Sequence, residues 1–526
     1  MKNAAGRDIP DELLGDRWPG ARNGKGYEPY QGAGHRERRH VERRGPRVRL
    51  RERPQESKLL PSIREAILRC GPRDGMTVSF HHHFRDGDHV VNAVMEEIVA
   101  LGAKDVTIAA SSLGIAHGPI ARYIEQGIVT GIQTSGIRGE VGEAVSRGKL
   151  RTPAILRSHG GRVRAIEEGD VHIDIAFIGA PTSDDRGNAR AVGGKSDCGV
   201  LSYAMVDAAY ADHVVVITDT LVPFPNFPAS IHGIDVDWVV EVETIGDPKK
   251  IASAAARMTR DPRELMMAET AARVMAATPW FRDGFSFQTG AGGPSLAVAR
   301  FLEPLMVERG IRMGWAIGGT TGPICELQDK GLVETIVDTQ AFDVAAIQHI
   351  QTAPRHFEIS TSEYASPANK GAFVDDLGFV VLAALEVDVG FNVNVITGSD
   401  GVLRGAPGGH PDTAAGSKCC IIVAPLVRGR MPTIRERVTT LTTPGEHVDV
   451  VITDHGLAVS PKRRDIIACL DEAGIRHVTI QELQEKAYSI VGRPDPLGWG
   501  EKIVAIMEAR DGTILDVVRE IRSSGA

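Results

Sequence analysis

The stretch SFHHHFRDGD places His81, His82 and His83 in succession, with Arg85 two residues on, at the end of a short apolar run. On an extended chain His81 and His83 share a face while His82 points away. Such a patch of donors suits a polyanionic substrate. Adjacent histidines cannot all converge on one ion, and no second ligand cluster stands out, so no metal site is expected. In FSFQTGAGGPSLAVARFL, Gly290, Gly292 and Gly293 fall between a strand-like run and an apolar helix-like run. Bare backbone N–H groups at a helix start could cradle a phosphate or an oxyanion. The spacing lacks the Lys-Ser/Thr of a nucleotide loop, and a plain strand–helix turn reads equally well. Ser135 and Arg138 in TSGIRGE, and His159 and Arg162 in RSHGGRVRAIEEGD, add hydroxyl, imidazole and guanidinium groups beside glycines. Guanidinium forks grip carboxylates with two bonds; surface arginines on loops are the plainer reading.

Two further stretches carry acidic groups. Glu326 lies in GPICELQDKGL, where a carboxylate could act as nucleophile or base. The run LEVDVGFNVNVITGSDGVLRGAPGGHPDTAAGSK reads as one alternating strand followed by a glycine-rich loop. Its polar groups Glu386, Asn394, Arg404, His410 and Asp412, with the backbone of Gly408 and Gly409, are placed near a ligand.

Strand-like and helix-like segments alternate from Ser57 onward. SKLLPSIREAILRCG reads as a helix closed at Gly71, MTVSF as a buried strand, and DHVVNAVMEEIVALGA as a helix closed at Gly102. Further strand-like runs are DVTIAA, VHIDIAFIGA and HVVVITD. The pattern predicts an α/β fold with mostly parallel sheets and helices on both faces. The order recurs. TVSFHHHFRDGD answers to FSFQTGAGGPS, GPIARYIEQGIVTGI to GPICELQDKGLVETI, GGKSD to GGHPD, and HVVVITD to DVVITDHG. Two tandem homologous domains over 56–245 and 281–526 are expected, joined by a helical connection over 246–280. In the repeat the place of Glu326 is held by Arg122.

Residues 1–55 differ. They carry about +6 against −8 for the whole chain, concentrated in HRERRHVERRGPRVRLRERP, and read as a basic, flexible arm. It is a solvated extension, or a tether for an acidic partner. The overall negative charge argues against nucleic-acid binding. With 42% hydrophobic and 24% charged residues the chain has globular composition. Six cysteines without a paired spacing form no disulfide framework. With no apolar leader and no run long enough to span a bilayer, a cytoplasmic location is expected.

Together SFHHHFR, TSGIRG, RSHGGR, FSFQTGAGG, ALEVDVGFNVNV and GSDGVLRGAPGGHPDTAAG resemble the alpha subunits of bacterial citrate lyase, from about Ser57 to the end. VDVVITDHGLAVSP and ARDGTILDVV extend the likeness; the arginine-rich arm departs from it. The resemblance implies a two-domain CoA-transferase fold and an exchange in which an acetyl-thioester and citrate give a citryl-thioester and acetate. It implies no cofactor bound tightly by this chain. The thioester belongs to a phosphoribosyl-dephospho-CoA arm on an acyl carrier (gamma) subunit, with CoA as surrogate, and a beta subunit cleaves the citryl-thioester. Related transferases form a glutamyl thioester, and ELQDKG is similar to the segment that carries it; the citrate lyase alpha chains imply instead direct attack by citrate, with Glu326 positioning. The alpha subunit of citramalate lyase, another carboxylate CoA-transferase, and a non-catalytic thioester-binding module are the alternative readings.

Overall fold

The computed structural model describes residues 1–14, 26–33, 43–45, 56–252, 259–290 and 292–522. Short runs of β-branched and small apolar residues become buried parallel strands, as two-sided burial demands. In the first half these are β1 (Leu59–Leu60), β2 (Thr77–Phe80), β3 (Val106–Ala110), β4 (Val129–Thr134), β5 (Ala154–Leu156), β6 (Ile175–Ala180), β7 (His213–Thr218) and β8 (Trp238–Glu241). The second half supplies β9 (Phe285–Thr289), β10 (Met313–Thr320), β11 (Val333–Ala341), β12 (His356–Glu358), β13 (Phe379–Ala383), β14 (Cys419–Val423), β15 (Val450–Thr453) and β16 (Gly456–Val459). A closing pair, β17 (Trp499–Glu508) and β18 (Ile514–Ile521), follows.

The sheets share a topology. The first runs β1-β8-β7-β6-β2-β3-β4-β5-β17-β18 and the second β12-β11-β10-β9-β13-β14-β15-β16. From β2 the chain goes outward through β3, β4 and β5, then returns to the other side through β6, β7 and β8. From β9 it goes through β10, β11 and β12, then through β13, β14 and β15. Each sheet therefore reverses direction beside its first central strand, and the crevice beyond the carboxyl ends of strands at such a point is where open α/β sheets bind ligands. The β2 end runs into His81–His83 and the β9 end into Gly290–Gly293. One repeat match shifts: β7, carrying HVVVITD, occupies the place of β14, and the DVVITDHG strand β15 occupies that of β8.

The closing pair departs from the expected boundary. β17 pairs in parallel with β5 through Ala505–Ala154 and Ile506–Ile155, so the last strands of the second half extend the first sheet. They cover an apolar β5 edge that would otherwise be open. The described parts of the arm are packed rather than loose: Ile9, Leu13 and Tyr27 are buried with Ile503, Ile506 and Ile514. Asn3 donates to the carbonyls of Ile514 and Leu515. Most of the arginine run lies outside the described residues.

The helical connection forms as Pro248–Ile251 and Pro262–Ala277, each started by an aspartate cap. The expected single strand over VDVGFNVNVI is instead a hairpin of Glu386–Asp388 and Val393–Asn394. The Asp388 carboxylate accepts from Gly390 and Asn392 N–H and bends the chain between them.

Candidate active site

Past the β2 end the three histidines diverge as their alternation requires. His81 Nε2 bonds the Gly179 carbonyl on β6 at 2.8 Å and its Nδ1 meets His83 Nδ1 at 3.0 Å. His82 turns the other way, with Nδ1 2.6 Å from Ser111 Oγ. His83 Nε2 reaches the Thr339 carbonyl on β11, 3.3 Å away in the second half.

His159 joins this cluster from the helix His159–Glu167, whose start is capped by Ser158. Its ring stacks on His82 with centroids 5.6 Å apart, and Tyr203 packs on both, each at 4.6 Å. Burial, then the neighbouring His159 and His83, hold His82 well below the ordinary imidazole range. Burial, then Arg162, push His159 down to about 3. Both rings are therefore neutral donors or acceptors at pH 7. His159 Nδ1 is enclosed with no hydrogen-bond partner among the described residues.

The second half closes over this cluster with the loop before the helix His410–Gly416. Ile137 N–H donates to the Gly405 carbonyl, Leu403 N–H to Ser146 Oγ, and His159 N–H to the Gly408 carbonyl. Gly408 has φ 54°, a left-handed turn that glycine adopts without strain. A Cβ on Gly409 would stand 2.3 Å from the Tyr364 hydroxyl, which accepts from Gln288 of β9 at 2.9 Å. Contacts thus run from His82 through His159, Gly408, Gly409 and Tyr364 to the strand that ends in the glycine loop.

That loop starts the 17-residue helix Gly293–Arg309, with Gly292 at the cap. A Cβ on Gly292 would meet the Ala383 Cβ at 2.7 Å, at the end of β13 beside the crevice. One turn in, the Ser295 hydroxyl is fully buried and has no hydrogen-bond partner among the described residues. A helix start without a side-chain cap, beside an unused buried hydroxyl, is suited to an oxyanion or phosphate.

Several expected ligands are otherwise engaged. Arg162 makes a two-pronged bond to Asp207 at 2.8 and 2.9 Å, both residues buried, so its fork is not free for substrate. Arg85 donates from the first half to the Phe342 and Ala341 carbonyls at 2.8 and 2.6 Å. Glu386 is held by Arg435 at 2.6 Å and by Asn394. Asp412 accepts from Ser158, Gly160 and Arg510, and fixes the start of the His159 helix rather than a ligand. His410 bonds Thr443 Oγ1 and the Ala383 carbonyl, and Arg404 pairs with Asp400 and Glu143 at the surface. Ser135 Oγ donates to the Ser158 carbonyl. Arg138 is exposed, with no ion pair among the described residues. Glu326 is exposed on the outer side of the helix Gly322–Asp329, whose Ile324, Cys325 and Leu327 face inward. It is not among the groups gathered at the cleft, because one residue along a helix turns a side chain by about 100°.

Sequence reasoning did not single out Tyr203, Tyr364, Thr339 or Ser295. Gln288 and Ser295 sit inside the quoted glycine-loop stretch, but Tyr203 and Tyr364 lie in the helices Ser202–Tyr210 and Thr361–Ala365, outside every quoted stretch.

Two switch-point sheet ends brought into contact through His83–Thr339 and His159–Gly408 make this an α/β fold of the CoA-transferase-like class. A likeness to a Pseudomonas malonate decarboxylase hetero-tetramer in complex with malonate, TM-score 0.61 at 16% identity over 83% of this chain and 86% of that one, extends to the fold alone. Residues 56–521 match the family model for the citrate lyase alpha subunit. The chain is 48% identical over 95% of its length to the citrate lyase alpha chain of Klebsiella pneumoniae, covering 97% of it. It is 50% identical to that of Escherichia coli over 90% of this chain and 92% of that one. A solved Streptococcus mutans structure, described as the putative alpha subunit of citrate lyase in complex with citrate, superposes with a TM-score of 0.94 at 48% identity, over 99% of this chain and all of that one. The chain belongs to the citrate lyase alpha subunit family, the citrate CoA-transferase subunit, and is an enzyme.

Proposed function

We propose that the cleft between the two sheets exchanges the acetyl group of an acyl-thioester for citrate. The observation that carries this reading is the run of contacts from the stacked His82 and His159 to Gln288, on the strand that precedes the helix Gly293–Arg309. A citrate carboxylate oxygen attacks the acetyl carbonyl, and the C–O bond that forms pushes charge onto the carbonyl oxygen. Collapse expels the thiolate and leaves an acetyl–citryl anhydride. The thiolate then attacks the citryl carbonyl, and acetate departs with the bridging oxygen. Both tetrahedral stages need fixed donors. Backbone N–H groups of Gly292 and Gly293 and the Ser295 hydroxyl are suited to that task.

Citrate must be held without its attacking oxygen being quenched by a tight ion pair. Neutral imidazoles at His82 and His159 meet that need better than guanidiniums, and the engagement of Arg85 and Arg162 within the protein agrees with it. Arg138 supplies the exposed positive charge. Glu326, turned outward, supports direct attack by citrate over a glutamyl intermediate.

The family places this activity in a complex. The partners inferred are a gamma subunit bearing the phosphoribosyl-dephospho-CoA thioester and a beta subunit that cleaves the citryl product, with free CoA thioester as surrogate. Among the described residues no helix is long and apolar enough to cross a membrane, and the six cysteines are free, in keeping with a reducing cytoplasm. The test is incubation of the purified chain with acetyl-CoA and citrate, followed by mass spectrometry. Citryl-CoA and acetate without oxaloacetate are expected. No product, with CoA or with carrier protein, would overturn the reading.

A further inference from the structure

One cluster of side chains takes no part in the exchange. Cys325 comes from the helix Gly322–Asp329, His349 from the helix Val344–Thr352, and His356 from the first residue of edge strand β12. A donor atom from each lies within 4.8 Å of those of the other two. The two imidazoles face each other through Nδ1 at 2.9 Å. Their far nitrogens each lie close to a carboxylate. His356 Nε2 is 3.3 Å from Asp338 Oδ2, both side chains fully enclosed, and His349 Nε2 is 3.4 Å from Asp329 Oδ1.

The buried Asp338 carboxylate, hydrogen-bonded to His356 Nε2, keeps the proton there and leaves the lone pair on His356 Nδ1, whereas Asp329 lies near His349 Nε2 without a hydrogen bond. That lone pair faces His349 Nδ1 at 2.9 Å, a separation that a proton or a cation between the two nitrogens accounts for. A shared proton would serve for two imidazoles alone. It gives no account of the third donor, the buried sulfur of Cys325, gathered into the same space. A metal ion takes all three.

We propose that Cys325, His349 and His356 form a site for a divalent late first-row metal ion, zinc foremost, with water as the fourth ligand. One thiolate and two imidazoles match the borderline-soft preference of zinc, and the buried carboxylate of Asp338 behind His356 is the supporting arrangement such sites use. A tetrahedral ion needs the two nitrogens about 3.3 Å apart, which small ring rotations supply. On binding, the Cys325 thiol proton passes to solvent as the metal–sulfur bond forms. The ion would tie two helices and β12 to β11, the strand whose Thr339 carbonyl accepts from His83 and from Ser202. It would brace one wall of the cleft without touching substrate.

The test is titration of the chelator-treated full chain with Co²⁺, read by absorption. One equivalent is expected to give the visible bands of a four-coordinate ion and a thiolate-to-cobalt band in the near ultraviolet. Zn²⁺ should displace it, Cys325→Ser should abolish the near-ultraviolet band, and His356→Gln should weaken binding at least tenfold. A wild-type titration showing only the spectrum of hydrated cobalt would overturn the proposal, whatever the folding of the variants. So would a near-ultraviolet band that persists in Cys325→Ser.

Discussion

The rings of His82 and His159 lie 16° from parallel with their centroids 5.6 Å apart, although one follows a strand end and the other starts a helix. Both are held neutral, chiefly by burial, and protonating either would place a cation against the other ring. Activity should therefore show no histidine limb near pH 6.5. For stability, a folded-state pKa far below the unfolded value of about 6.5 means that the unfolded chain binds more protons below that pH. The stabilising contribution is complete above about pH 6.5 and is lost as pH falls toward the folded value near 3. Thermal unfolding from pH 8 to 4 should show a melting temperature that falls in acid, less steeply in His159→Asn.

Arg85 joins the two halves through two carbonyls on the second sheet side. Arg85→Ala leaves both acceptors without their charged donor and should cost about 2–3 kcal/mol. Denaturant unfolding checks this, and citrate KM should rise as the cleft wall loosens.

Asp412 and Arg510 form a buried pair at 3.0 Å. Asp412→Ala leaves the guanidinium only the longer contact to Asp375 at 3.7 Å and the Ala365 carbonyl, and should cost about 3 kcal/mol. It also removes the acceptor for Ser158 Oγ and Gly160 N–H, so kcat should fall even where the variant stays folded. Asp412→Asn, which retains an acceptor, should recover part of both losses.

Gly292→Ala and Glu326→Gln should part sharply. A Cβ at Gly292 stands 2.7 Å from that of Ala383 and displaces the helix start. A tenfold or greater loss of kcat/KM, about 1.4 kcal/mol of transition-state stabilisation, is expected. Glu326→Gln should leave the rate within about twofold. Hydroxylamine or borohydride treatment of the acetyl-CoA-loaded enzyme should leave Glu326 unmodified.

The α/β pattern was legible because buried parallel strands read as short apolar runs bounded by glycine. SFHHHFR and FSFQTG read as strand ends, and they fall at the ends of β2 and β9, the first central strand of each sheet. What local pattern could not show is where a side chain spends its charge. Arg162 reads as a free fork until Asp207, on a different helix, is seen to hold both prongs. Glu386 and Asp412 likewise meet arginines far along the chain. The strand pair β17–β18 was misplaced for the same reason: its partner β5 lies hundreds of residues earlier, and an apolar strand does not name the sheet that it joins. Cys325, His349 and His356 escaped notice because two helices and an edge strand must pack before they meet.

The most direct test of the account is a single turnover of acetyl-CoA with citrate labelled with oxygen-18 in its carboxylates. Direct attack passes one citrate oxygen through the anhydride into the departing acetate. Acetate carrying one heavy oxygen from the first turnover is the expected result. Unlabelled acetate, with the heavy oxygen recovered in an enzyme carboxylate, would contradict it and restore a covalent intermediate.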